Sequence, residues 1–404
     1  MNRNNRILLG VLVVLLLVPI ICLQASIDPQ RAQFQPGKQG ALVTQVNNSP
    51  VALPGQFMVG ALVGFKEVIA GLLWVRCDDF FDAGNYEAIV PLIRLITWLD
   101  PHQIDVYDTG GWHMAYNFTD SSQRADYRYL PSAIALMKEG INNNPGVADL
   151  KTTLAFDLYE EKALDFKTAE KWLQLTCQDK SANYADFRLL AHAYDRAGQL
   201  DDCEKKWKDL AATATAQYNK NPTDSGLGLH MEVCQKNLDG FLARRALRAN
   251  LSQHQTNIHF DCQFRKLSPR VFQLSGNVDL PKGARVRVEL CDEDYKFHEI
   301  SSFNWNIDNK STVLIENGVH GMYVDHNKFS RKYDLSADLK AYPFKKDRYI
   351  LRVSVDPRDH TADAVLNILG WNGEGLADQP YLDKSVAGER RISKTFHLQR
   401  KDLI

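Results

Sequence analysis

Helices first and strands second, behind one apolar N-terminal segment, is the architecture this sequence predicts. In full it is an all-α helical-repeat region followed by an all-β antiparallel sandwich, with one N-terminal transmembrane helix. Three observations carry it. Residues 7–23 form an uncharged apolar run. From about 57 to 250 apolar residues recur at helical spacing, and from about 256 the period drops to two. At 404 residues the chain exceeds one ordinary core, so several domains are expected. The divisions read from these patterns are 1–24 (signal anchor), 25–56 (linker), 57–250 (helical repeats) and 256–404 (β-sandwich).

The first run, "ILLGVLVVLLLVPIICL", is at the short limit for spanning a bilayer and slightly long for a signal-peptide core. Arg3 and Arg6 precede it and no basic cluster follows closely, which places the body outside the cytoplasmic membrane, in a periplasm or at a cell surface. Three fates stay open: an uncleaved single-pass anchor, a secreted body after cleavage behind Ala25, or lipidation of Cys22. Leu23 disfavours the second and Ile21 the third, because both sit where a small residue is needed. Residues 24–56 are rich in Gln, Pro, Gly and Asn and read as a spacer. The next apolar stretch, "FMVGALVGFKEVIAGLLWV", carries Lys66 and Glu67 at its centre, so it is expected to be a packed helix rather than a second span.

The helical region is repetitive. Leu73, Cys77, Phe80, Gly84, Tyr86, Ile89, Ile93 and Ile96 lead to Pro101, and Phe187, Leu190, Ala191, Tyr194, Gly198, Leu200, Cys203, Trp207 and Leu210 repeat the same order of sizes. Small residues sit where two helices meet, large ones fill the next layer, and Gly84 and Gly198 fall at turns. Pro101 stops a helix, because proline neither extends the ladder nor lets its predecessor stay helical. The units near 104–145 and 148–180 fit less well. The first is split by "NFTDSSQRADYRY", and the second carries about two extra residues near Leu164. Residues 226–249 read as a terminal capping helix.

This pattern resembles the tetratricopeptide repeat, a helix-turn-helix unit of 34 residues. It is similar to that of bacterial, membrane-anchored proteins known only by such repeats, which implies no activity. The resemblance implies a groove lined by the first helix of each unit. Here that groove would hold Trp74, Asp78, Asp108, Trp112, Tyr116, Phe156, Tyr159, Arg188, His192 and Asp195. Aromatics with a few charges suit capture of a peptide or a helix. An equally open reading is that the split unit or the β domain packs into the groove.

Beyond 256, "IHFDCQF", "ARVRVEL" and "RYILRVSVDPR" alternate apolar and polar residues between Gly-, Asn- and Pro-rich turns. "FQLSGNVDLPKGARVRVELCDED" is similar to immunoglobulin-like modules of secreted proteins, although the Cys…Trp…Cys signature is missing.

Chemistry is sparse. No GxxxxGK[ST], HExxH or GxSxG occurs, and "GWNGEGL" lacks the context of a phosphate cradle. The acids Asp292, Glu293, Asp294, Asp356, Asp359 and Asp363, with His360, could together bind calcium, although solvated turns explain them as well; His320 and His326, with Asp325 between them, could bind zinc, but their spacing fits neither a helix face nor a tight hairpin. The seven cysteines contain no CxxC; Cys22 lies in the apolar run, and the other six read as small packing residues, although an oxidising compartment would permit disulfides. Lys and Arg total 48 against 49 Asp and Glu, which argues against non-specific nucleic-acid binding through a basic surface. The expectation is therefore a scaffold or adaptor, not an enzyme, with a protein or peptide partner, a membrane contact through the N-terminal helix, and no cofactor or metal. Two alternatives stand beside it. One is a carbohydrate-binding sandwich using Trp305 or Trp371; the other is a hydrolase using Asp78 and Asp82, or His192.

Overall fold

The computed structural model describes residues 65–118, 127–303, 311–316, 322–337, 339, 342–359, 362–385 and 389–404. The expected anchor and linker lie outside the described residues, as do Trp305, His320 and His360. Among the described residues no helix is long and apolar enough to cross a membrane. The chain divides into two compact units, Met1–Pro101 and His102–Ile404.

In the first unit, α1 (Lys66–Asp82) and α2 (Tyr86–Leu99) pack together. Gly84 makes the turn between them at φ 68°. Ile89, Val90, Ile93, Ile96 and Leu99 form one buried stripe at helical spacing. Asp100 is extended, as the residue before Pro101 must be, and α2 ends there.

The second unit begins with seven α-helices among the described residues: α3 (Ile104–Tyr116), α4 (Leu130–Asn143), α5 (Ala148–Thr153), α6 (Phe166–Thr176), α7 (Tyr184–Arg196), α8 (Leu200–Lys220) and α9 (Ser225–Gln253). A π-helical segment, Leu154–Lys162, continues α5 without a break. Each helix packs on its neighbour in sequence: α3 on α4, the π segment on α6, α6 on α7, α7 on α8 and α8 on α9. The α3–α4 contact is close because Gly140 has no side chain; a Cβ there would lie 2.5 Å from the Tyr107 ring. The extra residues noticed near Leu164 have a structural counterpart. The wider π turn absorbs length, and Leu164 then takes the left-handed conformation at φ 54° to close it. The split in the preceding unit falls between α3 and α4, and its residues 119–126 lie outside the described residues. A capping box opens α7, with Asn183 and Asp186 satisfying each other's backbone N–H groups.

All strand pairings within the sheets are antiparallel. β1 (Phe260–Ser268), β2 (Val271–Val278) and β6 (Lys328–Asp334) form one sheet in the order β1-β2-β6. The other runs β4-β3-β7-β9-β8, from β3 (Arg285–Asp292), β4 (Val313–Glu316), β7 (Arg348–Val355), β8 (Leu382–Asp383) and β9 (Arg391–Gln399), while β5 (Met322–Tyr323) pairs with the start of β3. Phe272, Leu274 and Phe329 from one sheet share a core with Val288, Leu290, Leu351 and Val353 from the other. Helices followed by two antiparallel sheets around one core agrees with the expected order.

Two features depart from an all-β second half. A helix, α10 (Asp363–Leu369), buries Val365, Leu366 and Leu369 where a loop was expected, and α11 (Arg400–Leu403) closes the chain. The polar alternate face of β3 is also not solvated: Arg287 is only 5% exposed. The β1 edge is guarded by lysines, with Lys394 donating to the Cys262 carbonyl at 2.7 Å and Lys266 to the Lys401 and Ile404 carbonyls.

Candidate functional site

The sequence-derived groove residues separate into three sets. Trp74 and Asp78 lie on α1 in the first compact unit, Trp74 half-buried and Asp78 exposed. The rest belong to the second unit, on α3, the π segment and α7.

Tyr159, His192 and Asp195 are committed to internal contacts. The Tyr159 hydroxyl donates to Glu299 at 2.6 Å, and Lys138 binds the other Glu299 oxygen at 2.5 Å. Asp195 is 5% exposed and pairs with Arg248 at 2.5 Å and Arg244 at 3.3 Å. Arg248 in turn reaches Glu374 at 2.7 Å, in the loop after α10. The His192 ring meets Trp207 edge-on at 5.0 Å. Burial, reinforced by Arg244 and Arg196, lowers its pKa to about 4, which leaves it neutral. Arg188 and Phe156 are half-buried.

The β loops reach the helices through a buried ionic network that sequence reasoning missed. Arg358 donates to Asn372 at 2.8 Å and to Glu389 at 3.3 Å, and its guanidinium lies 5.0 Å from the Phe166 ring centre on α6. Arg391 pairs with Asp383 at 2.9 Å and approaches Asp356 at 3.6 Å. Arg244 lies 5.4 Å from the Trp371 ring centre. Further along the junction Arg287 donates to the Tyr127 hydroxyl and to Glu289, both at 2.9 Å, and Arg352 binds Glu289 at 2.8 Å.

Around Asp195 and Glu389 five carboxylates (Asp195, Asp356, Glu374, Asp383, Glu389) meet four guanidinium groups (Arg244, Arg248, Arg358, Arg391) among the described residues. One negative charge is in excess. Burial and the adjacent Asp356 carboxylate accordingly raise Glu389 to about 7. The signal for this cluster was present as "DPRD", "GWNGEGL" and "GERR", but only the fold brings the three together. Gly373 allows it: a Cβ there would lie 1.9 Å from the Arg390 carbonyl oxygen.

Of the remaining candidates Trp112 is exposed, and Asp108 and Tyr116 are half-buried. Trp112 is 39% exposed and stacks on Tyr116, with ring centres 5.4 Å apart and planes inclined by 25°. The Tyr116 hydroxyl is held by the Asp157 carbonyl. Asp108, one helical turn before Trp112, is near enough to Asp157 for the two carboxylates to repel each other. Burial, Asp108 and Glu161 together raise Asp157 to about 6. Lys162 is buried beneath, its ammonium 5.1 Å from the Tyr116 ring centre and 5.7 Å from that of Tyr127.

The metal candidates are otherwise engaged. Asp292 accepts from the Thr312 N–H, Asp294 pairs with Lys346, Asp356 belongs to the arginine network, and Asp363 begins α10. Among the described residues no cluster of His, Cys, Asp or Glu is arranged to hold a metal ion. Burial pushes the thiols of Cys77, Cys203 and Cys262 up to about 12, so they pack as neutral groups. No protein-family model matches the chain, and no curated protein shows significant similarity to it.

Proposed function

We propose that this chain is a protein-binding module: a tetratricopeptide-like helical stack whose open face, at Trp112, Tyr116 and Phe156, holds a peptide or helix. The immunoglobulin-like sandwich braces the stack from within. The observation that carries the reading is the Trp112 ring, left partly in solvent on a helix whose neighbouring aromatic is fixed by a backbone hydrogen bond. A rigid, exposed aromatic gives contact area at low entropic cost. The body acts outside the cytoplasmic membrane, tethered by residues 7–23, and alkali extraction of native membranes tests that tether. A photoreactive residue at position 112 is expected to crosslink one discrete protein partner. The same residue at Leu229, on α9 and 63% exposed, serves as the control. Equal labelling from both positions would refute the reading.

The alternatives have less support. Trp371 is half-buried beneath Arg244 rather than displayed for a sugar. His192 is enclosed beside Trp207, a poor position for general-base chemistry.

A further inference from the structure

Buried or half-buried acids on the helices of the second unit and the turns between them are generally matched. Glu160 and Glu161 pair with Arg196, Asp179 with Lys151, and Asp195 with Arg248. Asp108 and Asp157 are different: neither side chain forms an ion pair or hydrogen bond with any described residue. Both are half-buried and they repel each other; Asp108 lies one helical turn before the partly exposed Trp112, and the Asp157 carbonyl accepts from Tyr116, whose ring stacks on Trp112. Lys162 does not balance them at the surface, because it is 1% exposed and directed at two tyrosine rings.

We infer that the face formed by Asp108, Trp112 and Asp157 docks a cationic side chain, an arginine above all, carried by a peptide partner. The inference rests on the protein-binding reading and specifies the chemistry of the partner. A guanidinium lies flat on an indole face while its edge donates to carboxylates, so one side chain satisfies both features at once. A lysine ammonium supplies the charge without the planar stack. A neutral side chain leaves two half-desolvated charges uncompensated, and an acidic one adds a third negative charge.

The test is fluorescence anisotropy of the full chain with short labelled peptides of one sequence, whose central residue is Arg, Lys, Gln or Glu. The Arg probe is expected to bind at least about tenfold tighter than the Gln probe. The double variant Asp108→Asn, Asp157→Asn should reduce the Arg probe to the level of the Gln probe and leave the Gln probe unchanged. Binding of the Arg probe should weaken as pH falls through about 6, where Asp157 takes up a proton, and as salt rises. Thermal melting checks that the variants fold; if the double variant does not, Asp108→Asn alone carries the comparison. Equal binding of the Arg and Gln probes, lost from both in Trp112→Ala, would overturn the cationic preference and leave the protein-binding face standing. No binding by any probe, or binding indifferent to Trp112→Ala, would overturn both.

Discussion

Glu389 shows how one residue's surroundings set a property of the folded protein. Its carboxyl is 7% exposed and sits beside Asp356, with Arg358 in contact and Arg391 nearby. Its folded pKa is about 7, against 4.5 when unperturbed. Between those values the folded chain holds a proton that the unfolded chain has released. This contribution to stability is therefore largest at low pH and is lost as pH rises through 7. Glu389→Gln, which keeps the neutral shape, should flatten the pH dependence of the melting temperature. It should also stabilise the protein at pH 8 by roughly 1–3 kcal/mol relative to the native chain. An unchanged pH profile would show that Glu389 is not the group that titrates. At the open face the expected costs are small. Trp112→Ala should cost about 1–2 kcal/mol, less than a fully buried tryptophan, since the residue is 39% exposed. Tyr116→Phe should cost about 1 kcal/mol for the lost bond to the Asp157 carbonyl. Chemical denaturation measures both.

Helix pairing is governed by the size of a few side chains. α3 and α4 approach closely because Gly140 lies under the Tyr107 ring, while the Tyr107 hydroxyl accepts from Asn143 at 3.0 Å. Gly140→Ala should destabilise the protein by about 1–3 kcal/mol in urea unfolding. Gly146→Ala, where a Cβ meets nothing within 4 Å, should stay within about 0.5 kcal/mol. Helix boundaries were largely legible because the cues are local: Gly84 and Gly198 at turns and Pro101 after α2. The π segment was visible only as surplus length near Leu164. Periodicity counts residues without revealing which hydrogen-bond pattern absorbs an extra one. α10 was missed because its three buried residues span little more than one turn, too short for a period to register.

Across the second compact unit, the strands and the helices from α3 onward are joined through charge. Arg248 is 3% exposed and bridges Asp195 on α7 to Glu374 beyond α10. Arg248→Met leaves two acids without their shared cation and should cost about 3–5 kcal/mol. In that background Asp195→Asn should cost less than it does alone, since the pair is already broken. Additive losses in this double-mutant cycle would mean that the bridge contributes little. Joining the helices to the sheets in this way also withdraws Tyr159 and Asp195 from any external partner.

The order of helices and strands, the turn glycines, the apolar stripe of α2 and the alternation of β3 were all determined by the amino-acid sequence itself. Each follows from contacts a few residues apart. Which polar residues face water was settled only in three dimensions. Arg287 and Glu289 alternate with Val286 and Val288 just as a solvated strand face would, yet Arg287 is buried against Tyr127, 160 positions away in the chain. Conversely Trp112, a member of the same predicted groove as Asp195, remains exposed. Whether a side chain is buried depends on what distant chain is brought over it, and the desolvation of a charge, unlike the pitch of a helix, has no period in the sequence.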